Sequence, residues 1–275
     1  MLKKLFKEEW KRFFLAPTVT LIILAVLTLT VMGTFMTSFW DQGYNIFVEI
    51  LAGFSILAYI LSLAAFSFCI TLCTAVRFYK NFFTDEGYLM FTLPVKTSDL
   101  LFSKLLVAVL WRFISVMFMW LSILGIATVA VSHLSDTGIV QFFREFTDIF
   151  QDLLSLGGLT IPLPVLFLWI ALFGICEQIF SILFIYTCIC IGQLWSKHKI
   201  GGAIISYFVL RFVFRLFRQL FTLPLSDMFS IYRMEDISAG AWLAFMPVSL
   251  LVMGALCLGL YCICNYIMTK KLNLD

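Results

Sequence analysis

The sequence has few charged residues and little histidine. Asp, Glu, Lys and Arg together form 13% of the chain, and there are two histidines, whereas charged residues form about 25% of an ordinary soluble domain. Hydrophobic residues form 62% of the 275 residues, and they occur in runs long enough to cross a hydrocarbon layer about 30 Å thick. The composition therefore excludes an ordinary soluble protein and predicts a single all-α membrane domain over residues 1–275.

Motifs for nucleotide binding and for catalysis are also missing from the sequence. There is no Gly-x-x-x-x-Gly-Lys-Ser/Thr loop, and Gly157-Gly158 and Gly201-Gly202 lack the lysine and hydroxyl that hold phosphate and magnesium. The formal net charge of +3 is small and indicates no nucleic-acid partner. We therefore predict no catalytic residue and no cofactor in this chain, so any ATP and magnesium that drive it are bound by a partner subunit.

The cysteines do not form the pattern of a secreted protein. All 8 lie inside apolar runs, which excludes an extracellular disulfide framework. Cys188 and Cys190, like Cys262 and Cys264, form Cys-x-Cys pairs. A role in packing is favoured over a metal site because no histidine or acidic residue lies beside them. We predict no metal site.

Six apolar runs are long enough to form transmembrane helices, each of which needs about 20 residues. They are Thr18 to Trp40, Ile46 to Val76, Leu105 to Val131, Leu163 to Trp195, Ile200 to Phe221 and Ala241 to Met268. In the connections, Lys and Arg concentrate on the side that carries both termini, while Arg144 and Arg233 lie on the other. The positive-inside rule then predicts a multi-pass protein of the bacterial cytoplasmic membrane, with both termini in the cytoplasm.

Three further segments are predicted to lie at the membrane surfaces. Residues 1–17 alternate basic and apolar residues at helical spacing, which is typical of an amphipathic helix on the inner leaflet. Residues 132–162 contain a second amphipathic pattern, which predicts a helix on the outer surface. Residues 222–240 combine Pro224 with charged and apolar residues, so we expect an outer connection with a short helix that dips into the boundary.

The cytoplasmic loop at residues 77–104 carries an unusual apolar pattern. Asp85 and Glu86 can begin a short helix, and Pro94 ends it. Between them lie the apolar residues Tyr88, Leu89, Phe91 and Leu93. Apolar surface rimmed by charge usually marks a docking site for another protein; the alternative is that this helix lies in the lipid interface.

The stretch Tyr79 to Val95, YKNFFTDEGYLMFTLPV, followed by Ser103-Lys104-Leu105-Leu106, resembles the loop after the second span of type-2 ABC-transporter permeases of clostridial-type bacteria. The rest of the chain is similar to that family in layout alone, and its long outer amphipathic helix departs from the usual pattern. In the family this loop forms a coupling helix that sits in a groove of a separate ATP-binding subunit. The resemblance implies that role for Asp85, Glu86, Gly87, Tyr88, Leu89, Phe91, Leu93 and Pro94.

Charged residues also lie inside two of the predicted spans. Arg211, Arg215 and Arg218 are four and three residues apart and share one helix face. Glu177 and Gln178 lie at a comparable depth in the preceding span. An arginine at the bilayer centre costs about 2.5–3.5 kcal/mol, so these residues either line a path for anionic or zwitterionic cargo or lipid headgroups, or lock helices together through ion pairs.

The resemblance and the layout predict the permease subunit of an ATP-driven transporter. It would act as an exporter, pair with a second copy or a related permease, contact membrane lipid and dock ATP-binding subunits. A membrane-embedded enzyme is an alternative, although such chemistry needs converging reactive groups and Glu177 is the main interior acid. A non-transporting sensor or immunity protein would use the same membrane scaffold.

Overall fold

The computed structural model describes most of the chain as helix. The described residues are 2–36, 46–84, 87, 96–134, 140–141, 144, 147–149, 151–152, 162–195, 198–231 and 239–270. Within them, side chains are not described at 2, 4, 46–49, 52, 133–134, 217–218, 220–231 and 239–245. All regular structure in these described ranges is helical, which confirms the predicted all-α class.

The long helices follow the predicted apolar runs and extend beyond most of their ends. They are α1 (Leu2–Phe13), α2 (Leu15–Met36), α3 (Ile46–Phe83), α4 (Thr97–Leu134), α5 (Leu163–Gly192), α6 (Lys199–Ile231) and α7 (Ala239–Lys270). The described residues between 140 and 152, inside the predicted outer segment, are helical too. Whether that segment lies on an outer surface stays a prediction, and residues 232–238 of the predicted outer connection fall outside the described residues.

Five helical segments are long and apolar enough to cross a membrane. They are Leu15–Met36, Gly53–Phe83, Thr97–Ser132, Leu163–Gly192 and Met246–Lys270. The shortest has 22 residues, which at about 1.5 Å per residue covers about 33 Å. The chain is therefore a multi-pass membrane protein. The predicted span at Ile200 to Phe221 lies in α6, which is not one of these five, so the sixth span stays a prediction.

Contacts divide the chain into two compact units. Unit 1 comprises Met1–Leu2, Ala75–Leu105 and Asp148–Asp275, and unit 2 comprises Lys3–Thr74 and Leu106–Thr147. In unit 1 the described structure is the end of α3, the beginning of α4, and α5, α6 and α7. Unit 2 contains most of α1, all of α2 and the larger parts of α3 and α4. The prediction of a single domain stays a prediction.

Unit 2 has a core between α2 and α3. Leu24 and Val31 of α2 pack with Tyr59, Phe66 and Ile70 of α3. The first two are seven residues apart, as are Tyr59 and Phe66, and this spacing puts each pair on one helix face. A repeated apolar face on each helix therefore gives the unit its core, while many other apolar side chains remain exposed to the surroundings.

The N-terminal helix packs against α4 in unit 2. Phe13 is buried with Trp111, and the ring of Trp10 stacks on that of Trp111 at 5.1 Å. Lys7 and Lys11 are exposed. The predicted amphipathic helix is thus present as α1, with protein on part of its apolar face; its place on the inner leaflet stays a prediction.

In unit 1, two glycines permit a close approach of α5 and α6. A Cβ atom on Gly192 would collide with the backbone nitrogen of Ala203, and one on Gly202 would lie 3.0 Å from the carbonyl oxygen of Gly192. Any larger side chain at Gly192 therefore requires the backbones to separate. Because α5 ends where α6 begins after a short connection, this contact joins them as an antiparallel helical hairpin.

Candidate functional site

Contacts between aromatic side chains show which residues of α5 lie beside which residues of α6. The ring of Phe184 lies 5.5 Å from that of Tyr207 and 5.8 Å from that of Phe214, and Phe180 lies 5.4 Å from Phe214. Since the two helices are antiparallel, residues that precede Phe180 on α5 are level with residues near and after Phe214 on α6. These aromatic contacts therefore align the predicted charged positions of the two helices.

Three of the predicted charged residues lie beside these aromatic contacts between α5 and α6. Glu177 precedes Phe180 by three residues and Arg211 precedes Phe214 by three, a spacing that keeps side chains on one side of a helix. Arg215 follows Arg211 by four. All three charged side chains are exposed. We call this surface, defined by Glu177, Arg211 and Arg215, the charged face.

The charged face lies far from the helix ends that meet at the α5–α6 connection. At about 1.5 Å per residue, Glu177 is about 22 Å from Gly192, while Arg211 and Arg215 are about 18 and 24 Å from Lys199. The neighbouring exposed residues on α6 are apolar: Phe208, Val209, Phe212, Val213 and Leu216. The charges thus interrupt a surface that is otherwise suited to lipid.

The described structure does not pair these charges with each other. The Nη1 of Arg211 donates a hydrogen bond of 2.6 Å to the Tyr207 hydroxyl, and its guanidinium lies 5.7 Å from that ring centre. Among the described side chains, Glu177 forms no ion pair with Arg211 or Arg215. Gln178 is half-buried beside it. The side chain of Arg218 falls outside the described residues, so an interhelical lock between Glu177 and Arg218 stays a prediction.

Most of the predicted coupling helix falls outside the described residues. These residues are Asp85, Glu86, Tyr88, Leu89, Phe91, Leu93 and Pro94. Gly87 is described and is buried; its amide donates a hydrogen bond of 2.7 Å to the carbonyl of Thr84. A Cβ atom on Gly87 would collide with the backbone carbonyl of Phe82. Glycine at this position therefore lets the chain turn back closely at the end of α3.

The end of α3 that leads into the loop packs tightly on α5. The ring of Phe78 stacks on that of Tyr186 with 3.8 Å between centres and 10° between planes. Phe82, one turn later, is completely buried, and the Nζ of Lys104 from α4 lies 4.9 Å from the centre of its ring. The two ends of the loop therefore contact each other, and the α3 end also contacts α5.

The beginning of α4, on the other side of the loop, contacts α7. The hydroxyl of Tyr261 donates a hydrogen bond of 3.1 Å to the backbone carbonyl of Ser98. No local pattern in the sequence signals this contact or the stack of Phe78 on Tyr186, because both join residues far apart in the chain. We call Phe78, Phe82, Ser98 and Lys104, with their contacts on α5 and α7, the loop base.

Unit 2 contains a polar cluster of a different kind. The hydroxyl oxygens of Thr28 and Ser122 are 2.8 Å apart, and those of Tyr59 and Ser122 are 2.6 Å apart. Thr28 also donates to the carbonyl of Leu24 at 2.7 Å. If Tyr59 donates to Ser122 and Ser122 to Thr28, each buried hydroxyl proton has an acceptor. This hydroxyl cluster joins α2, α3 and α4 without any charge.

Arg112 is a charged residue that sequence analysis did not single out. It lies within the apolar run of α4, and its Nη1 donates a hydrogen bond to the hydroxyl of Thr71 on α3. Thr71 in turn donates to the carbonyl of Ser67 at 2.8 Å. The signal was available, because an arginine inside a predicted span is as unusual here as in α6. Its contact with α3 indicates a role in packing unit 2.

The two Cys-x-Cys pairs meet in unit 1. The sulfur atoms of Cys190 on α5 and Cys264 on α7 are 3.2 Å apart, and both side chains are completely buried. Within the described part of the chain, no three His, Cys, Asp or Glu residues group closely enough to hold a metal ion. The two thiols are packed between α5 and α7, and the absence of a metal site stays a prediction.

Comparisons with known proteins give no match to the chain: no family model, no curated protein and no solved structure corresponds to it. The molecule itself has a charged face on α5 and α6, a loop base that contacts α5 and α7, and long apolar helices. On these observations the chain is a multi-pass, all-helical membrane protein.

Proposed function

We propose that the chain is the permease subunit of an ATP-driven transporter, to which a separate ATP-binding subunit docks at the loop of residues 77–104. The resemblance of Tyr79 to Val95 to a coupling loop supports the choice of partner. Six spans, cytoplasmic termini in a bacterial cell membrane, pairing with a second permease and export of cargo belong to the same proposal. ATP and magnesium would be bound by the docked subunit.

The observation that carries the proposal is the loop base. A docking loop can drive transport if its movement reaches the helices that face the cargo. Here the stack of Phe78 on Tyr186 joins the loop to α5, the helix that also carries Glu177. The hydrogen bond from Tyr261 to Ser98 joins the loop to α7. A push on the loop is therefore transmitted through packed side chains to α5 and α7.

The position of the charged face along α5 and α6 explains how a push on the loop would reach the charges. Tyr186 and Glu177 lie nine residues apart on one continuous helix. A tilt of α5 at Tyr186 would therefore also move Glu177. Arg211 and Arg215 lie on α6, which packs on α5 through Phe180 and Phe184. Movement of the loop would thus alter the environment of all three charges.

The proposal is tested by purifying the tagged full-length chain from its own membrane and measuring which ATPase accompanies it. The double variant Leu89→Asp with Phe91→Asp should abolish that association, because two carboxylates would replace the apolar contact with the partner. Leu194→Asp is the control, because Leu194 is 50% exposed just after α5 and lies outside the loop.

Retention of the ATPase by the double variant, with the variant abundant in the membrane, would contradict docking at this loop. Equal loss of the ATPase in Leu194→Asp would also contradict it, because an acidic residue outside the loop would then disturb the complex just as much. Thermal unfolding of each purified variant distinguishes a lost partner from a misfolded chain.

A further inference from the structure

The charged face carries an excess of positive charge. It exposes one carboxylate, Glu177, and two guanidinium groups, Arg211 and Arg215, without ion pairs between them in the described chain. Each charge at the centre of a bilayer costs several kcal/mol unless water, protein or a ligand compensates it. A compensating ligand must therefore offer negative charge to two arginines and positive charge to one glutamate.

We propose that the charged face binds the headgroup of a zwitterionic phospholipid that has a phosphodiester and a primary ammonium group, as in phosphatidylethanolamine. Guanidinium groups bind phosphate oxygens through paired hydrogen bonds, so Arg211 and Arg215 suit the phosphodiester. Glu177 suits the ammonium, which donates three hydrogen bonds and carries the opposite charge. The assignment of this phospholipid as cargo rests on the proposed transport function.

Apolar surface around the charges favours a lipid over a soluble phosphate compound. On α6 the exposed Phe208 and Phe212 each precede an arginine of the charged face by three residues, and on α5 the exposed Ile170 precedes Glu177 by seven, so these apolar side chains lie on the same helix faces as the charges. Acyl chains can lie along these side chains while the headgroup contacts the charges. A water-soluble headgroup would gain only the polar contacts, so the surface as a whole matches an amphipathic ligand.

The charge count argues against a second copy of the chain as the occupant. In a two-fold dimer each residue of the patch occurs twice, so two glutamates would face four arginines. The excess positive charge would then be buried between the copies, and burying an unpaired charge is strongly destabilising. A zwitterionic phospholipid adds no net charge and brings a negative phosphodiester to the arginines, which is why the charges favour lipid.

The test measures binding of acyl-labelled fluorescent phosphatidylethanolamine and phosphatidylglycerol to the purified full-length chain in detergent. Arg215→Gln should weaken both lipids about tenfold, the effect of losing a charged hydrogen bond. Glu177→Gln should weaken phosphatidylethanolamine by a similar factor but should not weaken phosphatidylglycerol, which has no ammonium. Lys199→Gln is the control, because it removes a positive charge from the same helix far from the charged face.

An unchanged preference between the two lipids in Glu177→Gln, or normal binding by Arg215→Gln, would overturn the proposal. So would competition by soluble glycerophosphoethanolamine at the same concentration as the lipid, or a dimer of the wild type that becomes monomeric in Glu177→Gln. If a variant unfolds, the wild type still decides: it should prefer phosphatidylethanolamine to its N-acylated form, which lacks the ammonium, and equal binding would refute the assignment.

Failure of this test and failure of the proposed function remain distinguishable. Lipid binding is measured on the chain alone, whereas docking is measured by the ATPase that accompanies it. A chain that keeps its ATPase but shows no headgroup preference refutes the lipid assignment and leaves the transporter proposal standing. A chain that binds the lipid as expected but has no ATPase partner refutes the transporter proposal alone.

Discussion

Units 1 and 2 both have polar side chains inside long apolar helices, but these side chains differ in their burial and in their hydrogen-bond partners. In unit 2, Thr28, Tyr59 and Ser122 are buried and their hydroxyls bond to one another. In unit 1, Glu177 and Arg215 are exposed and are not paired with each other. Groups satisfied inside the chain contribute to folding, whereas charges left on an apolar surface need something outside it. The difference separates residues that hold the protein together from residues available to a ligand.

A similar difference exists between the aromatic contacts of the units. In unit 2, Trp10 stacks on Trp111 and holds the N-terminal helix against α4. In unit 1, Phe78 stacks on Tyr186 beside the proposed docking loop. The first contact joins the N-terminal helix to α4, and the second joins the proposed docking loop to the helix that carries Glu177. Substitutions can therefore be chosen to affect stability, the proposed transport or both.

The largest effect on stability is expected for Phe78→Ala in unit 1. Removing a completely packed aromatic ring from a core costs about 3–5 kcal/mol, and here it also separates the loop base from α5. Phe68→Ala is the control, because Phe68 lies on the same helix but is 66% exposed; we expect a change of about 0.5 kcal/mol or less. Unfolding of both purified variants in detergent measures the difference, and equal losses would contradict the packing described for the loop base.

A smaller effect is expected for Ser122→Ala in unit 2. This change removes the central hydroxyl of the cluster, and such bonds between membrane helices contribute about 0.6 kcal/mol on average and up to about 1.7 kcal/mol. Transport per folded molecule should not change, since no ligand contact is lost. Ser132→Ala is the control on the same helix, because that hydroxyl is exposed and donates within its own helix to Val129. A transport defect in folded Ser122→Ala would remove the distinction between the two units.

The smallest effect on stability, but a large one on transport, is expected for Arg215→Ala in unit 1. The exposed side chain should contribute about 0.5 kcal/mol or less to folding, while ATP-dependent lipid transport by the reconstituted complex should fall about tenfold. Lys199→Ala should leave both quantities unchanged. Loss of assembled protein, with normal transport per remaining molecule, would instead support an interhelical lock.

The apolar runs made the helices predictable because each is longer than the membrane requires. The structure has helices at all six predicted runs, and five of them contain segments suited to crossing a membrane. The shared face of Arg211 and Arg215 was also predictable, because four-residue spacing fixes it. Arg112 could have been found by the same reasoning, since it too interrupts an apolar run.

Other features depend on contacts between distant residues. No local pattern could show that Phe78 stacks on Tyr186, because any aromatic residue at a helix end is equally compatible with lipid. The meeting of Cys190 with Cys264 likewise depends on how α5 packs on α7. The exposure of Glu177 was not predictable either, because its depth along α5 permits both an ion pair and an open position.

The amino-acid sequence by itself determined that this protein is helical and crosses a membrane, since the length and apolarity of each run decide those properties locally. It also determined which residues carry charge within the helices. Only the tertiary structure decided which of those polar residues are satisfied inside the chain and which are exposed. The physical reason is that satisfaction depends on the neighbouring helix: Ser122 has hydroxyls from two other helices within reach, whereas Glu177 has neither Arg211 nor Arg215 as an ion-pair partner.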